Sequence, residues 1–257
     1  MRYGIRVIGL ETRRMLCSPW LWLAVAAEAL WMFISTFTAT SNGSILSVIY
    51  GFIFSVDLYS SYIVLICILP ILPYALSFVK EWNDRATHFW IIRTGTRSYM
   101  IAKVIAAAVG GFLTVFLGIL LYAGMQRFFL PWGEPGVNAG GIYDEIQSVT
   151  MYVLLIASHK GASGMLAAVC ALWVSCYFSN TYVALIGPNA IYWLLLRIET
   201  ILPVPDLLEI TYWIQGYGVA GYPWTVTYGT HWLIILVLCV IMGSNAVGRL
   251  REKVEHD

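Results

Sequence analysis

Long apolar stretches, separated by shorter polar ones, divide this chain into blocks of membrane-spanning length. A helix needs about 20 mostly apolar residues to cross the hydrocarbon core of a bilayer, and six stretches meet that requirement. The pattern therefore predicts an all-α integral membrane protein with six transmembrane helices in one domain, residues 1–257. The predicted spans are 19–40, 61–79, 100–126, 162–179, 181–198 and 230–248.

The composition agrees with this pattern. Of the 257 residues, 60% are hydrophobic and 11% are charged, whereas soluble domains average about 25% charged residues. The net charge of +1 gives no reason to expect a nucleic-acid partner. The cysteines form no CxxC pair and have no histidine at metal-ligand spacing, so the sequence predicts no metal site.

Basic residues are concentrated before the first span, between the second and third spans, and after the sixth. These three places hold twelve of the fifteen basic residues, and only Arg127, Lys160 and Arg197 lie elsewhere. Lys and Arg near span ends are retained on the cytoplasmic side. Six spans put both termini on one side, so the chain is predicted to be a multi-pass protein of the cytoplasmic (inner) membrane with both termini cytoplasmic.

Residues 1–18 have the pattern of an amphipathic helix. Arginines occupy one predicted face, and such a helix would lie in the interface with its arginines near lipid phosphates. An ordinary basic flank without a helix is the alternative. The apolar face is predicted from Ile5, Ile8, Thr12, Met15 and Leu16, and the basic face from Arg2, Arg6 and Arg13.

Two connections on the predicted outer side are long. The first connection, 127–160, is predicted to be an outer loop and helix: prolines and glycines in 127–149 indicate turns, and 144–160 regains helical character. This second part is predicted to be an outer interfacial helix because its charges disfavour a span. The polar residues concerned are Asp144, Glu145, His159 and Lys160.

The other long connection, 199–229, is too apolar for water and too interrupted by proline to span. We predict an outer re-entrant hairpin, which requires protein to cover its irregular backbone. Asp206 and Glu209 would either receive a cationic substrate there or be solvated loop residues. The candidate outer gate consists of Leu207, Leu208, Trp213 and Trp224.

The segment 80–99, between the second and third spans, combines basic and aromatic residues. We predict a short cytoplasmic helix in which Glu81 and Arg85 pair one turn apart. Its aromatic residues are too apolar for a solvated linker and indicate a surface for another protein. The candidate coupling residues are Glu81, Trp82, Arg85, Phe89, Trp90 and Arg97.

Glu28 is the ionisable residue that lies deepest in a predicted span. A carboxylate at membrane depth is costly and is a functional candidate by default. At helical spacing it shares a face with Trp31 and Ser35, which gives a candidate substrate pathway. A hydrogen bond from Glu28 to a neighbouring helix remains an equal alternative.

Small residues in the predicted third and fourth spans permit close approach of helices. Intramolecular packing is their simplest role. The residues are Ala106, Gly110, Gly111, Gly118, Gly161 and Gly164.

The sequence contains no phosphate-binding GxxxxGK[ST] motif and no HExxH or GxSxG motif. The chain is therefore predicted not to be an enzyme. Any energy for transport must come from a partner protein or from an ion gradient.

Three stretches carry a family resemblance. Residues 11–20 are similar to an amphipathic helix leading into a first span, and 81–103 to a loop with an acidic start and a basic end. Residues 175–180 close the predicted fourth span in a similar way. Together they resemble the membrane subunit of export-type ABC transporters, although 83–86 replaces the family's Gly-rich turn.

This resemblance implies a dimer of permeases, identical or paralogous, with two cytoplasmic ATPase subunits that bind ATP and magnesium. The chain itself would bind no cofactor, and spans two and five would line the dimer seam. The aromatic and aliphatic pathway favours an amphipathic or hydrophobic substrate, such as an antimicrobial peptide, a drug or a lipid-linked molecule. A gradient-driven carrier or channel, or a non-transporting membrane anchor of a cytoplasmic complex, is the alternative.

Overall fold

The computed structural model describes residues 2–41, 47–48, 66–132, 146, 148–202, 204–215, 219 and 221–256. All regular structure in these ranges is helical. Two short 3₁₀ turns lie at Leu69–Ile71 and Asp206–Leu208. The α-helices are α1 (Arg2–Leu16), α2 (Pro19–Ser41), α3 (Ser77–Asn83), α4 (Ala86–Thr94), α5 (Thr96–Arg127), α6 (Val149–Tyr177), α7 (Thr181–Glu199), α8 (Ile210–Gln215) and α9 (Trp224–His256).

Five of the described helices, α2, α5, α6, α7 and α9, are long and apolar enough to cross a membrane. The predicted all-α fold is therefore confirmed for the described ranges, and the chain is a multi-pass membrane protein. We call the end of the bundle that carries α1, α3 and α4 the charged end, and the opposite end the α8 end.

The predicted second span, 61–79, lies partly outside the described residues, and its described part is not one continuous helix. A 3₁₀ turn at Leu69–Ile71 is followed by turns and then by α3. Pro70 and Pro73 supply no backbone N–H for a helical ladder. The chain instead makes tighter bonds, such as the one from the Leu72 N–H to the Leu69 carbonyl at 3.2 Å.

The predicted break before the fourth span is wrong. Helix α6 runs unbroken from Val149 to Tyr177, so residues 149–160 of the predicted interfacial helix belong to it. His159 and Lys160 were expected to keep this part out of the bundle, yet both are buried. The Nε2 atom of His159 lies 2.8 Å from the Trp213 carbonyl oxygen. A hydrogen bond to a neighbouring segment therefore lets the His159 ring be buried.

The described residues between α7 and α9 form short elements. The described part contains the Asp206–Leu208 turn and α8. Trp224, assigned to the predicted hairpin, is instead the first residue of α9, and the predicted sixth span of 230–248 is extended at both ends.

Helix α1 is confirmed as a helix, but the stripe that packs against the protein differs from the predicted apolar face. Among residues 5–16 of α1, the buried ones are Val7, Glu11 and Met15, which follow one another at four-residue spacing on one face. Ile5, in contrast, is 71% exposed. An acidic residue therefore lies at the centre of the packed face of α1.

Glycines bring the spanning helices into close contact. A Cβ atom on Gly111 of α5 would lie 2.5 Å from the carbonyl oxygen of Gly164 in α6, and one on Gly118 would lie 2.7 Å from the Glu28 side chain of α2. The prediction that these small residues serve packing within the chain is confirmed. Helix α5 is thereby held against both α6 and α2.

Candidate functional site: a buried ion-pair cluster beside an exposed apolar helix

Lys103 of α5 is the centre of a polar cluster at the charged end. Its side chain is fully buried. The Nζ atom donates to the Tyr74 hydroxyl at 3.0 Å, the Ser77 hydroxyl at 3.1 Å and the Glu81 carboxylate at 2.8 Å. An ammonium has three donors, so all three are used inside the protein.

Glu81 of α3 joins three segments through its carboxylate. Besides Lys103, it accepts from Arg14 of α1 at 2.6 Å and from the Tyr99 hydroxyl of α5 at 2.6 Å. Glu11 of α1 adds a second carboxylate, 3.4 Å from the Lys103 Nζ atom. Two acids and two bases thus balance their charges, with Glu11, Glu81 and Lys103 buried and Arg14 exposed at the edge. We call Glu11, Arg14, Glu81, Tyr99 and Lys103 the charged cluster.

The pairing predicted between Glu81 and Arg85 is wrong. Helix α3 ends at Asn83, and Arg85 has a left-handed backbone with φ of 57°. The helix therefore does not continue for the full turn that an i,i+4 pair needs. The acid at the start of this segment is directed into the bundle, and Arg85 is exposed.

The environment of Glu81 moves its pKa. Burial alone would raise the pKa, but the charge of Lys103, hydrogen bonds from Lys103 and Tyr99, and the charge of Arg14 outweigh burial and hold the pKa below its ordinary value of 4.5. Because the folded-state pKa is the lower one, the ionised carboxylate stabilises the fold above pH 4.5. This stabilisation is lost as the pH falls through the folded pKa.

We therefore expect the thermal unfolding midpoint of the purified protein in detergent to fall on acidification below about pH 4.5. Glu81→Gln should show a smaller fall, since it lacks the titrating group, and should unfold earlier at neutral pH. Glu252→Gln is the control, because this carboxylate is exposed and its ion pair is with Arg249 one turn away. An acid response of Glu81→Gln equal to that of the unmodified protein would contradict the assignment.

Helix α4, between α3 and α5, carries an exposed apolar surface. Phe89 is 73% exposed and Ile92 is 83% exposed, and Trp90 beside them is exposed at 37%. Arg85, just before α4, and Arg97, in the first turn of α5, are exposed as well. We call Phe89, Trp90 and Ile92 the α4 surface. Ile92 was not among the predicted coupling residues, because the apolar run 89–92 does not show which of its side chains face outward.

Trp82, predicted to share this surface, faces the bundle. Its ring packs against Phe78 with centroids 6.0 Å apart, and the Lys253 Nζ atom of α9 lies 4.5 Å from its centroid. Such cation–π contact is favourable. Trp82 therefore links α3 to the end of α9.

The predicted substrate face of α2 is divided by the structure. Glu28 is buried and packs against Gly118 of α5, so it faces the protein interior, in agreement with the sequence. Trp31, however, is 40% exposed, and the Ser35 hydroxyl donates to the Met32 carbonyl of its own helix. The three residues do not form one pathway within this chain.

The predicted outer-gate residues also separate. Trp213 is buried and its indole N–H donates to the Leu208 carbonyl at 3.1 Å. Leu208 is half exposed, Leu207 is partly buried, and Trp224 packs at the edge of the core as part of α9. Trp213 and Leu208 are brought together, and both line an apolar cavity.

Within the described ranges, no group of three His, Cys, Asp or Glu residues could hold a metal ion. No protein-family model, curated protein or solved structure matches this chain.

Proposed function

We propose that this chain is the membrane-spanning subunit of an ATP-driven ABC exporter of the cytoplasmic membrane, with both termini in the cytoplasm. Two partner ATPase subunits hydrolyse ATP with magnesium, and a second permease, identical or paralogous, completes the pathway. The cargo is amphipathic or hydrophobic, such as an antimicrobial peptide, a drug or a lipid-linked molecule.

The observation that carries this proposal is the α4 surface. Contiguous exposed apolar side chains commonly mark an interaction site, and Phe89 and Ile92 lie one turn apart beside exposed arginines. Helix α4 also directly precedes α5, which is long and apolar enough to cross a membrane. A partner that presses on α4 therefore acts on the helices that cross the membrane.

The charged cluster connects α3 to α5 and α1, and so transmits a movement of α4 to them. Glu81 of α3 is bonded to Lys103 and Tyr99 of α5 and to Arg14 of α1. Charge-assisted hydrogen bonds are short and directional, so a displacement of α3 is passed to α5 and α1 together. Helix α5 in turn packs on α6 and α2 through its glycines. ATP-driven motion at α4 thus reaches the spans without any nucleotide site in this chain.

At the α8 end, the connection between α7 and α9 forms the outer gate of this exporter as a re-entrant hairpin. The buried Trp213 and its bond to Leu208 support a closed, packed segment there. Asp206 is exposed and accessible to cargo that leaves.

We expect an ATPase subunit to dock on the α4 surface. Phe89→Asp with Ile92→Asp should lower the ATPase activity that co-purifies with the tagged chain by about tenfold or more, the scale of a lost interface hot spot. Both side chains are exposed, so the fold should be unaffected. The measurement is nucleotide hydrolysis in the isolated complex, with thermal unfolding of the variant as a check.

Phe128→Asp is the matched control, because Phe128 is 88% exposed at the opposite end of α5. It should leave the co-purified activity unchanged. If the α4 variant co-purifies with as much ATPase activity as the unmodified chain, the ATPase does not dock on α4. If the unmodified chain brings no ATPase and transports only with an imposed ion gradient, the exporter proposal fails in favour of a gradient-driven carrier.

A further inference from the structure

An apolar cavity lies between α6, α7, α8 and α9, away from the charged cluster. Its volume is about 350 Å³, and its described lining contains no acidic, basic or histidine side chain. Leu166 and Cys170 contribute from α6, Ile191 from α7, and Leu238 from α9. A charged ligand group would therefore have no counter-charge inside.

Polar groups at the cavity wall are bonded to the protein. The Ser163 hydroxyl donates to the Ile214 carbonyl at 2.9 Å, and the Trp213 indole donates to the Leu208 carbonyl. A ligand is not needed to satisfy them, and a water molecule would find few partners. Cavities lined in this way stay dry and accept apolar ligands.

Helix α8 covers one end of the cavity and is fixed to α6 at two points. One is the Ser163 bond, and the other joins His159 to the Trp213 carbonyl at 2.8 Å. A carbonyl only accepts, so the His159 Nε2 atom carries the proton. These bonds keep Trp213 and Ile214 in the cavity wall.

The cavity reaches the outside of the bundle beside α7. Leu195 and Leu208 belong to its lining and are 37% and 51% exposed. The surrounding surface is also apolar, with Leu194 62% exposed and Leu202 56% exposed. In a membrane protein such a surface contacts lipid tails, so the mouth opens toward the hydrocarbon region.

We propose that this cavity binds one acyl chain of a membrane phospholipid, which enters between Leu195 and Leu208. Since an apolar cavity of about 150 Å³ accepts benzene, one of this size holds on the order of a dozen chain carbons. The phospholipid headgroup stays outside the mouth, because the lining offers it neither charge nor free hydrogen-bond donors. The bound chain packs under α8 and stabilises the α8 end. This site does not depend on the proposed export function.

The test uses the full chain in vesicles of phosphatidylcholine that carries a photoreactive diazirine on one acyl chain. After illumination, mass spectrometry should find label on cavity residues of α6 and α7. Ala167→Phe fills the cavity and should reduce that label about tenfold. Val183→Phe, on the exposed face of α7 outside the cavity, should leave it unchanged.

A second arm adds a free twelve-carbon alcohol with the same diazirine. Leu166→Ala enlarges the cavity and should increase labelling by the phospholipid probe. This variant provides the test if Ala167→Phe does not fold. Equal labelling of unmodified and filled cavities would overturn the proposal. Labelling by the alcohol but not by the phospholipid would also overturn it, because the occupant would then be a free amphiphile such as cargo. None of these measurements involves an ATPase.

Discussion

Lys103→Met should destabilise the protein by about 3–5 kcal/mol, the cost of leaving a buried ion pair without one partner. The change removes the one cation that is fully buried between Glu81 and Glu11. Methionine fills a similar volume but donates no hydrogen bond, so Tyr74 and Ser77 lose their bonds to the ammonium as well. The thermal unfolding midpoint in detergent is the measurement.

Lys80→Met is the matched control, because Lys80 is exposed on the same helix as Glu81. It should change stability by less than about 0.5 kcal/mol, as surface substitutions do. A rescue variant separates charge from packing: Lys103→Met together with Glu81→Gln and Glu11→Gln removes the uncompensated carboxylates and should recover part of the loss. If Lys103→Met is no less stable than Lys80→Met, the charged cluster does not hold α1, α3 and α5 together.

Gly111→Leu should destabilise the bundle by about 3 kcal/mol or more, at the upper end of the cost of overpacking. A Cβ atom at Gly111 would lie 2.5 Å from the Gly164 carbonyl oxygen and 2.6 Å from the Ala168 Cβ atom. Backbone cannot rotate away as a flexible side chain would, so α5 and α6 must separate. Size-exclusion chromatography and thermal unfolding report the loss.

Gly124→Ala, on the same helix, is the control. A Cβ atom there meets nothing within 4 Å, and alanine is favoured over glycine in a helix by roughly 0.5–1 kcal/mol. This variant should be as stable as the unmodified protein or more stable. Equal tolerance of both substitutions would show that the helices are not packed through Gly111.

Some features of the fold can be predicted from the sequence, and others cannot. The small residues of α5 and α6 indicated close packing because size at a helical position limits how near two backbones approach. The same reasoning failed for His159 and Lys160, since a polar residue in an apolar helix gives no sign of the carbonyl or side chain that will meet it. Because polar residues were expected to be exposed, the prediction divided α6 into two helices.

Apolar length and local helix-start signals determined the helical class of this chain, the start of the first span at Pro19, and the unbroken course of α5 and α7. These are local properties, set by the cost of placing a polar backbone in hydrocarbon, and nearby residues suffice to read them. Only the tertiary structure decided that Glu81 binds Arg14, 67 positions away, and Lys103 in place of Arg85. It also decided that Phe89 and Ile92 face outward while Trp82 faces in. Burial and charge pairing depend on which helices meet, and no local pattern contains that information.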